Sequence, residues 1–300
     1  MVTVPGPTRR TVRPPGGPLL PMGRRVELPG RGTTFVRHVE GPAGAPTVLL
    51  LHGWMASGGL NWFRTFDVLA RQFHVVAVDM RGHGRGIRNG RRFRLADCAD
   101  DAAATLDVLG IDEPVIAVGY SLGGPVAQLL WKRHREDVRG LVLCSTAHRL
   151  MPGFREQWIF ATMMAAAAGT TRLGQIATKV PAKRVRQLLP VASAEGKRPS
   201  TLRSWARAEM QRHSTRMVLE AGVAMSNYNA SRWIGKVDVP TAVVVTAKDR
   251  AIAPIAQLQL ALSIPDATIH RIDDGHLVCA KPTFASPLLR ACQDVAARCA

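Results

Sequence analysis

The stretch Val115-Ile-Ala-Val-Gly-Tyr-Ser-Leu-Gly-Gly-Pro125 decides the fold of this 300-residue chain, because an apolar run meets the pattern Gly-x-Ser-x-Gly at Ser121. The run predicts a buried strand, and Gln128 to His134 predicts an amphipathic helix. A strand that turns sharply into a helix brings two backbones together, which favours glycine at Gly119 and Gly123. The hydroxyl of Ser121 would then be exposed at the apex of the turn, beside the N-terminus of the helix.

Further strands and helices alternate on both sides of this stretch. The sequence predicts strands at Arg25 to Leu28, Thr34 to Glu40, Thr47 to Leu51, Val75 to Asp79, Gly140 to Cys144, Thr241 to Thr246 and Thr268 to Ile272, and helices at Leu60 to Phe73, Leu95 to Leu109, Ile255 to Leu262 and Thr283 to Cys299. This alternation, with parallel-sheet spacing, predicts an α/β architecture with a doubly wound sheet.

Two segments depart from the alternation. Residues 1–23 are rich in Arg, Pro and Gly and lack periodicity, so we expect a disordered basic tail. Residues 148–239 are rich in Met and Ala at helical spacing and contain no apolar strands, which predicts a helical cap inserted into the core. The predicted core therefore comprises residues 24–147 and 240–300.

The chain carries a net charge of +18, and the excess lies mainly outside the predicted core. Residues 148–239 contain fifteen Lys or Arg and five Asp or Glu, and residues 1–31 contain six Arg and one Glu. Such an excess suits an anionic membrane surface or an acidic substrate, and a solvated surface rich in Arg is the alternative. Nucleic-acid binding is not expected, because the basic segments lack interleaved aromatic or groove-reading motifs.

The sequence indicates neither a membrane span nor a secretory signal, since it has no apolar run of eighteen residues and no apolar segment near its start. The five cysteines are odd in number and show no Cys-x-x-Cys spacing, which favours reduced thiols in a cytoplasm. No group of potential ligands has metal-binding spacing, so we expect neither a metal nor a cofactor. The oligomeric state stays open.

A serine hydroxyl is a weak nucleophile, so Ser121 needs a base within hydrogen-bond reach and a third group that orients the base. Two residues that follow predicted strands have the right chemistry. Asp249 follows the strand at Thr241 to Thr246, and His276 follows the strand at Thr268 to Ile272. The neighbouring acids Asp273 and Asp274 are alternatives to Asp249.

In this order and context the sequence resembles the α/β-hydrolase fold superfamily over residues 25–300, in the branch with a helical cap. The matching motifs are His52-Gly53-Trp54, Asp79-Met-Arg-Gly-His-Gly84, the turn at Ser121, Asp249, and Gly275-His276. The resemblance implies a mostly parallel eight-stranded sheet with helices on both faces and a Ser121, His276, Asp249 triad. It also implies an oxyanion hole from the amides of Trp54 and Leu122, with His52 and Gly53 as the supporting loop.

The resemblance leaves the reaction partly open. Dehalogenases and epoxide hydrolases use Asp where this chain has Ser121, so the candidates are serine-dependent: esterase, lipase, thioesterase, lactonase, C–C bond hydrolase, or a cofactor-free perhydrolase. A catalytically silent scaffold that binds a ligand is an alternative from another class. We interpret His52 and His83 as residues that brace loops by hydrogen bonds.

The substrate prediction is a carboxylic ester or thioester with a medium or long acyl chain. Apolar cap residues suit a flexible acyl chain, and the basic excess suits an anionic lipid surface or an acidic leaving group. The apolar cap residues are Trp158, Phe160, Met163, Met164, Trp205 and Met210. We therefore expect a small ester or lipid as substrate and peripheral contact with an anionic membrane.

Overall fold

A computed structural model of the chain describes residues 6–150, 159, 161–169 and 200–299. Its strands are β1 (Thr11–Val12), β2 (Leu20–Pro21), β3 (Gly23–Leu28), β4 (Gly32–Val39), β5 (Thr47–Leu51), β6 (His74–Val78), β7 (Val115–Tyr120), β8 (Val138–Cys144), β9 (Thr241–Thr246) and β10 (Thr268–Ile272). Eight of them form one sheet in the order β10-β9-β8-β7-β5-β6-β4-β3. β4 pairs antiparallel with both of its neighbours, and the other pairings are parallel.

Helices cover both faces of this sheet. Those of the predicted core are Gly58–Trp62, Phe66–Leu69, Leu95–Leu109, Gly123–Arg133, Pro254–Ser263 and Ala285–Arg298, with short 3₁₀ turns at Arg135–Asp137, Val278–Ala280 and Pro282–Phe284. Leu49 and Leu51 of β5 contribute to the apolar core on one face, and Val48 and Leu50 to the core on the other. Both faces of the sheet are thus buried, which explains why β5 and β7 read as continuous apolar runs.

The chain from 148 to 239 contributes helices at 161–169, Leu202–Met210 and Thr215–Ser226, and a 3₁₀ turn at Ile234–Lys236. In its described part no β-strand lies between β8 and β9. The assignment of 148–239 as a separate cap stays a prediction. Among the described residues, no helix combines the length and apolarity that crossing a bilayer requires.

The N-terminal segment differs from the disordered tail that we expected. β1 pairs antiparallel with β2, and Leu20 is buried in the apolar core. The guanidinium group of Arg37 on β4 donates a hydrogen bond to the carbonyl of Pro21. The burial of Leu20 and the hydrogen bond from Arg37 thus hold part of the segment that composition alone predicted to be disordered in solvent.

The single helix predicted from Leu60 to Phe73 is wrong, because the structure has two short helices there. Ser57 caps the first by accepting a hydrogen bond from the amide of Leu60. Thr65 then donates from both its amide and its hydroxyl to the carbonyl of Trp62, which closes a turn and ends that helix. Hydrogen bonding of a threonine to nearby backbone competes with helix continuation.

Candidate active site

Ser121 lies directly after β7 in a left-handed backbone conformation, with φ of 51°. Such a conformation is costly for a residue with a side chain and is typical of functional turns. The flanking glycines make the turn possible, since an added Cβ at Gly119 would overlap the carbonyl of Gly123, and one at Gly123 would overlap the carbonyl of Leu51. The predicted strand, turn and helix are therefore present, and Ser121 stands at the carboxyl edge of the sheet.

The structure brings Ser121, His276 and Asp249 together in one hydrogen-bonded series. Nε2 of His276 lies 3.0 Å from Oγ of Ser121, and Nδ1 of the same ring lies 2.8 Å from Oδ2 of Asp249. The Asp249 side chain is completely buried, whereas the His276 side chain is 21% exposed. The acceptor Oδ2 favours a proton on Nδ1, which leaves Nε2 free to accept the hydroxyl proton of Ser121.

Asp249 accepts hydrogen bonds on both carboxylate oxygens. Besides His276, Oδ2 receives Thr246 Oγ1 at 2.7 Å and Gln257 Nε2 at 3.2 Å. Oδ1 receives the amides of Ala251 and Ile252 at 2.8 and 2.9 Å. Burial alone would raise the pKa of Asp249, but the hydrogen bonds from His276, Ile252 and Thr246 outweigh it and hold that pKa below its usual value. The carboxylate is therefore ionised at neutral pH.

The loop that contains His52, Gly53 and Trp54 lies against Ser121. A Cβ added at Gly53 would come 3.5 Å from Cβ of Ser121, and the Gly53 amide is held by Asn61 Oδ1 at 3.0 Å. The Leu122 amide, at the start of the helix after Ser121, donates to no carbonyl within the residues that the structure describes. This amide is available to a ligand oxygen.

His52 and His83 form hydrogen bonds to loop backbone, and the interpretation that they brace these loops stays a prediction. His52 Nε2 accepts from the amide of Met80 at 3.0 Å, and its Nδ1 donates to the carbonyl of Gly53 at 2.8 Å. His83 Nδ1 donates to the carbonyl of Arg81. Both rings are fully buried, and burial lowers the pKa of His83 to about 4, so they are neutral at pH 7.

Among the described residues, Met164 is the one predicted apolar cap residue that lies near the loop of His52, Gly53 and Trp54. A Cβ added at Gly222 would lie 3.1 Å from Met164 and 3.3 Å from the Trp54 ring, and Trp54 Nε1 donates to the carbonyl of Val218 at 2.9 Å. Trp205 is buried against Phe63 instead. Met163 and Met210 are exposed, and Trp158 and Phe160 lie outside the described residues.

The alternative acids do not contact His276. Asp273 pairs with Lys248 at 2.8 Å, and Asp274 pairs with Lys281 at 2.7 Å. Where side chains are described, no group of three or more His, Cys, Asp or Glu is arranged to hold a metal ion. The geometry of the site is that of an oriented imidazole next to a serine.

Three supporting residues were not predicted from the sequence. Thr246 and Gln257 donate to Asp249, and Tyr120 donates from its hydroxyl to the carbonyl of His276. The sequence contained a signal for Gln257, because it shares the buried face of its helix with Leu260 and Ala261. An unpaired side-chain amide there would be costly, so its position predicts a buried hydrogen-bond partner. Thr246 and Tyr120 end their strands and carry no such signal.

Comparison with known proteins gives the same architecture. A family model described as alpha/beta hydrolase fold matches residues 46–281. A pimeloyl-(acyl-carrier protein) methyl ester esterase of Chromobacterium violaceum is 31% identical over 236 residues, which is 77% of this chain and 87% of that protein.

Two solved structures illustrate the likeness of the folds. A thermophilic esterase from Thermogutta terrifontis superimposes with a TM-score of 0.70 at 22% identity, covering 93% of this chain and 99% of its own. The enol-lactonase from Burkholderia xenovorans LB400 gives a TM-score of 0.69 at 20% identity, covering 91% of this chain and 100% of its own. At these identities the likeness concerns the fold alone.

Proposed function

Since the chain belongs to the alpha/beta hydrolase fold family, we propose that it is a serine hydrolase that cleaves carboxylic esters or thioesters through an acyl-enzyme. The observation that carries the proposal is the series Ser121 Oγ, His276 and Asp249, with distances of 3.0 and 2.8 Å. Within the part of the chain that the structure describes, His276 Nε2 is the only imidazole nitrogen hydrogen-bonded to a serine hydroxyl. General base and nucleophile are thus in contact without any movement of the backbone.

In the proposed mechanism, Oγ of Ser121 attacks the carbonyl carbon of the substrate while its proton passes to Nε2 of His276. The buried carboxylate of Asp249 stabilises the imidazolium ion that forms. When the tetrahedral intermediate collapses, the proton on Nε2 passes to the departing alkoxide or thiolate. Water then attacks the acyl-enzyme by the same route, with His276 as base, and releases the carboxylic acid.

We assign the backbone amides of Trp54 and Leu122 as donors to the oxyanion. The support is the contact of the preceding Gly53 with Ser121 and the absence of a carbonyl acceptor for Leu122 among the described residues. Each donor would contribute about 3 kcal/mol of transition-state stabilisation. The helix Gly123–Arg133 begins directly after Leu122, so its N-terminus would add favourable potential at the same point.

We further propose that the acyl group is of medium or long chain. Met164 and Gly222 lie against the Trp54 ring and form an apolar wall with it, and a thioether adapts to a flexible chain. The Chromobacterium relative, at 31% identity, is named as an esterase of a pimeloyl-(acyl-carrier protein) methyl ester. An enzyme in a cytoplasm that meets anionic lipid surfaces would also suit the net charge of +18.

The test is a series of 4-nitrophenyl esters from acetate to octanoate. We expect kcat/KM to rise from acetate to butyrate or octanoate, and Ser121→Ala to abolish the activity at every length. Val12→Thr, an exposed substitution far from Ser121 in sequence, serves as a matched control. Activity that survives in Ser121→Ala would overturn the serine mechanism, and a strict preference for acetate would restrict the proposal to small esters.

A further inference from the structure

A pocket that Ser121 does not line lies between the loop after β6 and the segment that follows the helix Leu202–Met210. It has a volume of about 480 Å³. Its charged lining consists of Arg25, Arg85, Arg88 and Arg212, and His213 and Thr33 add polar groups. Among the described residues, no Asp or Glu lines it. We call it the arginine pocket.

The positive charge of the arginine pocket is only partly balanced. Glu209 lies behind the pocket and pairs with two of its members, Arg85 at 3.0 Å and Arg212 at 3.2 Å. Arg25 and Arg88 form no ion pair with any residue that the structure describes. Four guanidinium groups thus face one cavity, with one carboxylate shared between two of them, which favours an anion in that cavity.

Contacts within the protein hold two of these arginines in place. The guanidinium of Arg85 lies 4.9 Å from the ring centroid of Phe35, in addition to its pair with Glu209. Arg88 uses Nη2 to donate to the carbonyls of Gly84 and Arg212, and its Nε and Nη1 have no acceptor among the described residues. Donors that are oriented before a ligand arrives lose less entropy on binding.

We propose that the arginine pocket binds a phosphate-bearing small molecule. The planar fork of a guanidinium matches two oxygens of one phosphate, and a pocket of this volume is large enough for more than one phosphate group. A single carboxylate would leave most of the donors unused. The free Nε and Nη1 groups of Arg88, together with Arg25, supply the contacts that do not compete with Glu209.

The position of the pocket allows two sources for the phosphate. β7, which precedes Ser121, is two strands from β6 and four from β3, which carries Arg25. At about 4.8 Å per strand, the pocket lies roughly 10–20 Å from Ser121 across the sheet. The phosphate is either the far end of a long leaving group or a separate effector.

Binding of inorganic pyrophosphate to the full-length protein at low ionic strength, measured by isothermal titration calorimetry, tests the site itself. We expect one saturable site in the wild type and at least a roughly tenfold weaker affinity in Arg25→Gln/Arg88→Gln. The control Arg94→Gln/Arg232→Gln removes the same charge from two exposed positions outside the pocket and should bind as the wild type does. Arg25→Gln alone breaks no described side-chain contact, so its fold should be unaffected. It should also weaken the binding of pyrophosphate, which separates loss of the site from loss of the fold.

Kinetics with two thioesters then identify the source, and this step alone rests on the proposed hydrolase activity. If the phosphate belongs to the leaving group, the double variant raises KM for butyryl-coenzyme A but not for S-butyryl-N-acetylcysteamine. If it belongs to an effector, both KM values stay unchanged in the double variant, although pyrophosphate binds to that variant more weakly than to the wild type. Equal pyrophosphate affinity in wild type, pocket variant and control, or no binding to the wild type, overturns the site whether or not either thioester is cleaved.

Discussion

Replacing Asp249 with Asn removes the group that sets the tautomer of His276. Oδ2 of Asp249 faces three donors, from His276, Thr246 and Gln257, while Oδ1 faces the amides of Ala251 and Ile252. An asparagine that keeps its oxygen toward the two amides points its NH₂ group at the other three donors. The imidazole then gains a hydrogen bond only by placing its proton on Nε2, where it can no longer accept the proton of Ser121.

The expected loss in kcat/KM is about 10⁴-fold, which corresponds to about 5.5 kcal/mol of transition-state stabilisation. The free energy of unfolding should fall by about 1–3 kcal/mol, because at least one buried donor loses its acceptor. Hydrolysis of 4-nitrophenyl butyrate and urea unfolding measure the two effects.

Asp274→Asn is the matched control, because Asp274 contacts Lys281 and the amide of Gly275 and not His276. It should keep near-normal activity. A loss below about tenfold in Asp249→Asn, or a larger loss in Asp274→Asn than in Asp249→Asn, would refute the assignment of the acid.

Three further outcomes are expected. Gly119→Ala should lower kcat/KM about 100-fold, because the added Cβ displaces Ser121. Gly90→Ala, where an added Cβ meets nothing within 4 Å, should leave kcat/KM unchanged. Equal kcat/KM values for the two variants would contradict the need for close approach of the backbones at Gly119 and Gly123. Burial lowers the pKa of His38 and His83 to about 4, so the stability they contribute is complete at neutral pH and is lost as the pH falls from about 6.5 toward 4. Urea titrations should therefore show about 2 kcal/mol less stability per histidine at pH 5 than at pH 7, and His83→Asn should flatten this slope; an unchanged slope would exclude His83 as a cause. Cosedimentation should show binding to anionic but not neutral vesicles at low salt and release as salt rises, and equal binding to both would remove the electrostatic interpretation.

The parts of the fold that the sequence predicted are those in which local pattern and tertiary environment agree. β5, β7 and β9 read as apolar runs because helices cover both faces of the sheet there. Ser121, Asp249 and His276 follow strands, and the carboxyl ends of parallel strands meet at one edge, so their proximity could be anticipated.

The parts that were missed depend on contacts between segments distant in sequence. Leu20 is buried only because the N-terminal segment packs on the sheet, where Arg37 holds Pro21. Thr246 is recognisable as a donor only once the carboxylate of Asp249 has been located beside it, and the buried-face position of Gln257 does not by itself identify its acceptor. Likewise, Arg25 and Arg88 are 63 positions apart, and only the fold brings them into one pocket.

The most direct test of the account is to trap the acyl-enzyme. Wild-type protein is mixed with 4-nitrophenyl butyrate, quenched in acid during the first turnover, digested and analysed by mass spectrometry. We expect one butyryl group on the peptide that contains Ser121, together with a burst of one 4-nitrophenol per protein chain, and neither in Ser121→Ala. A butyryl group on another residue, or steady hydrolysis by Ser121→Ala, would contradict the central claim.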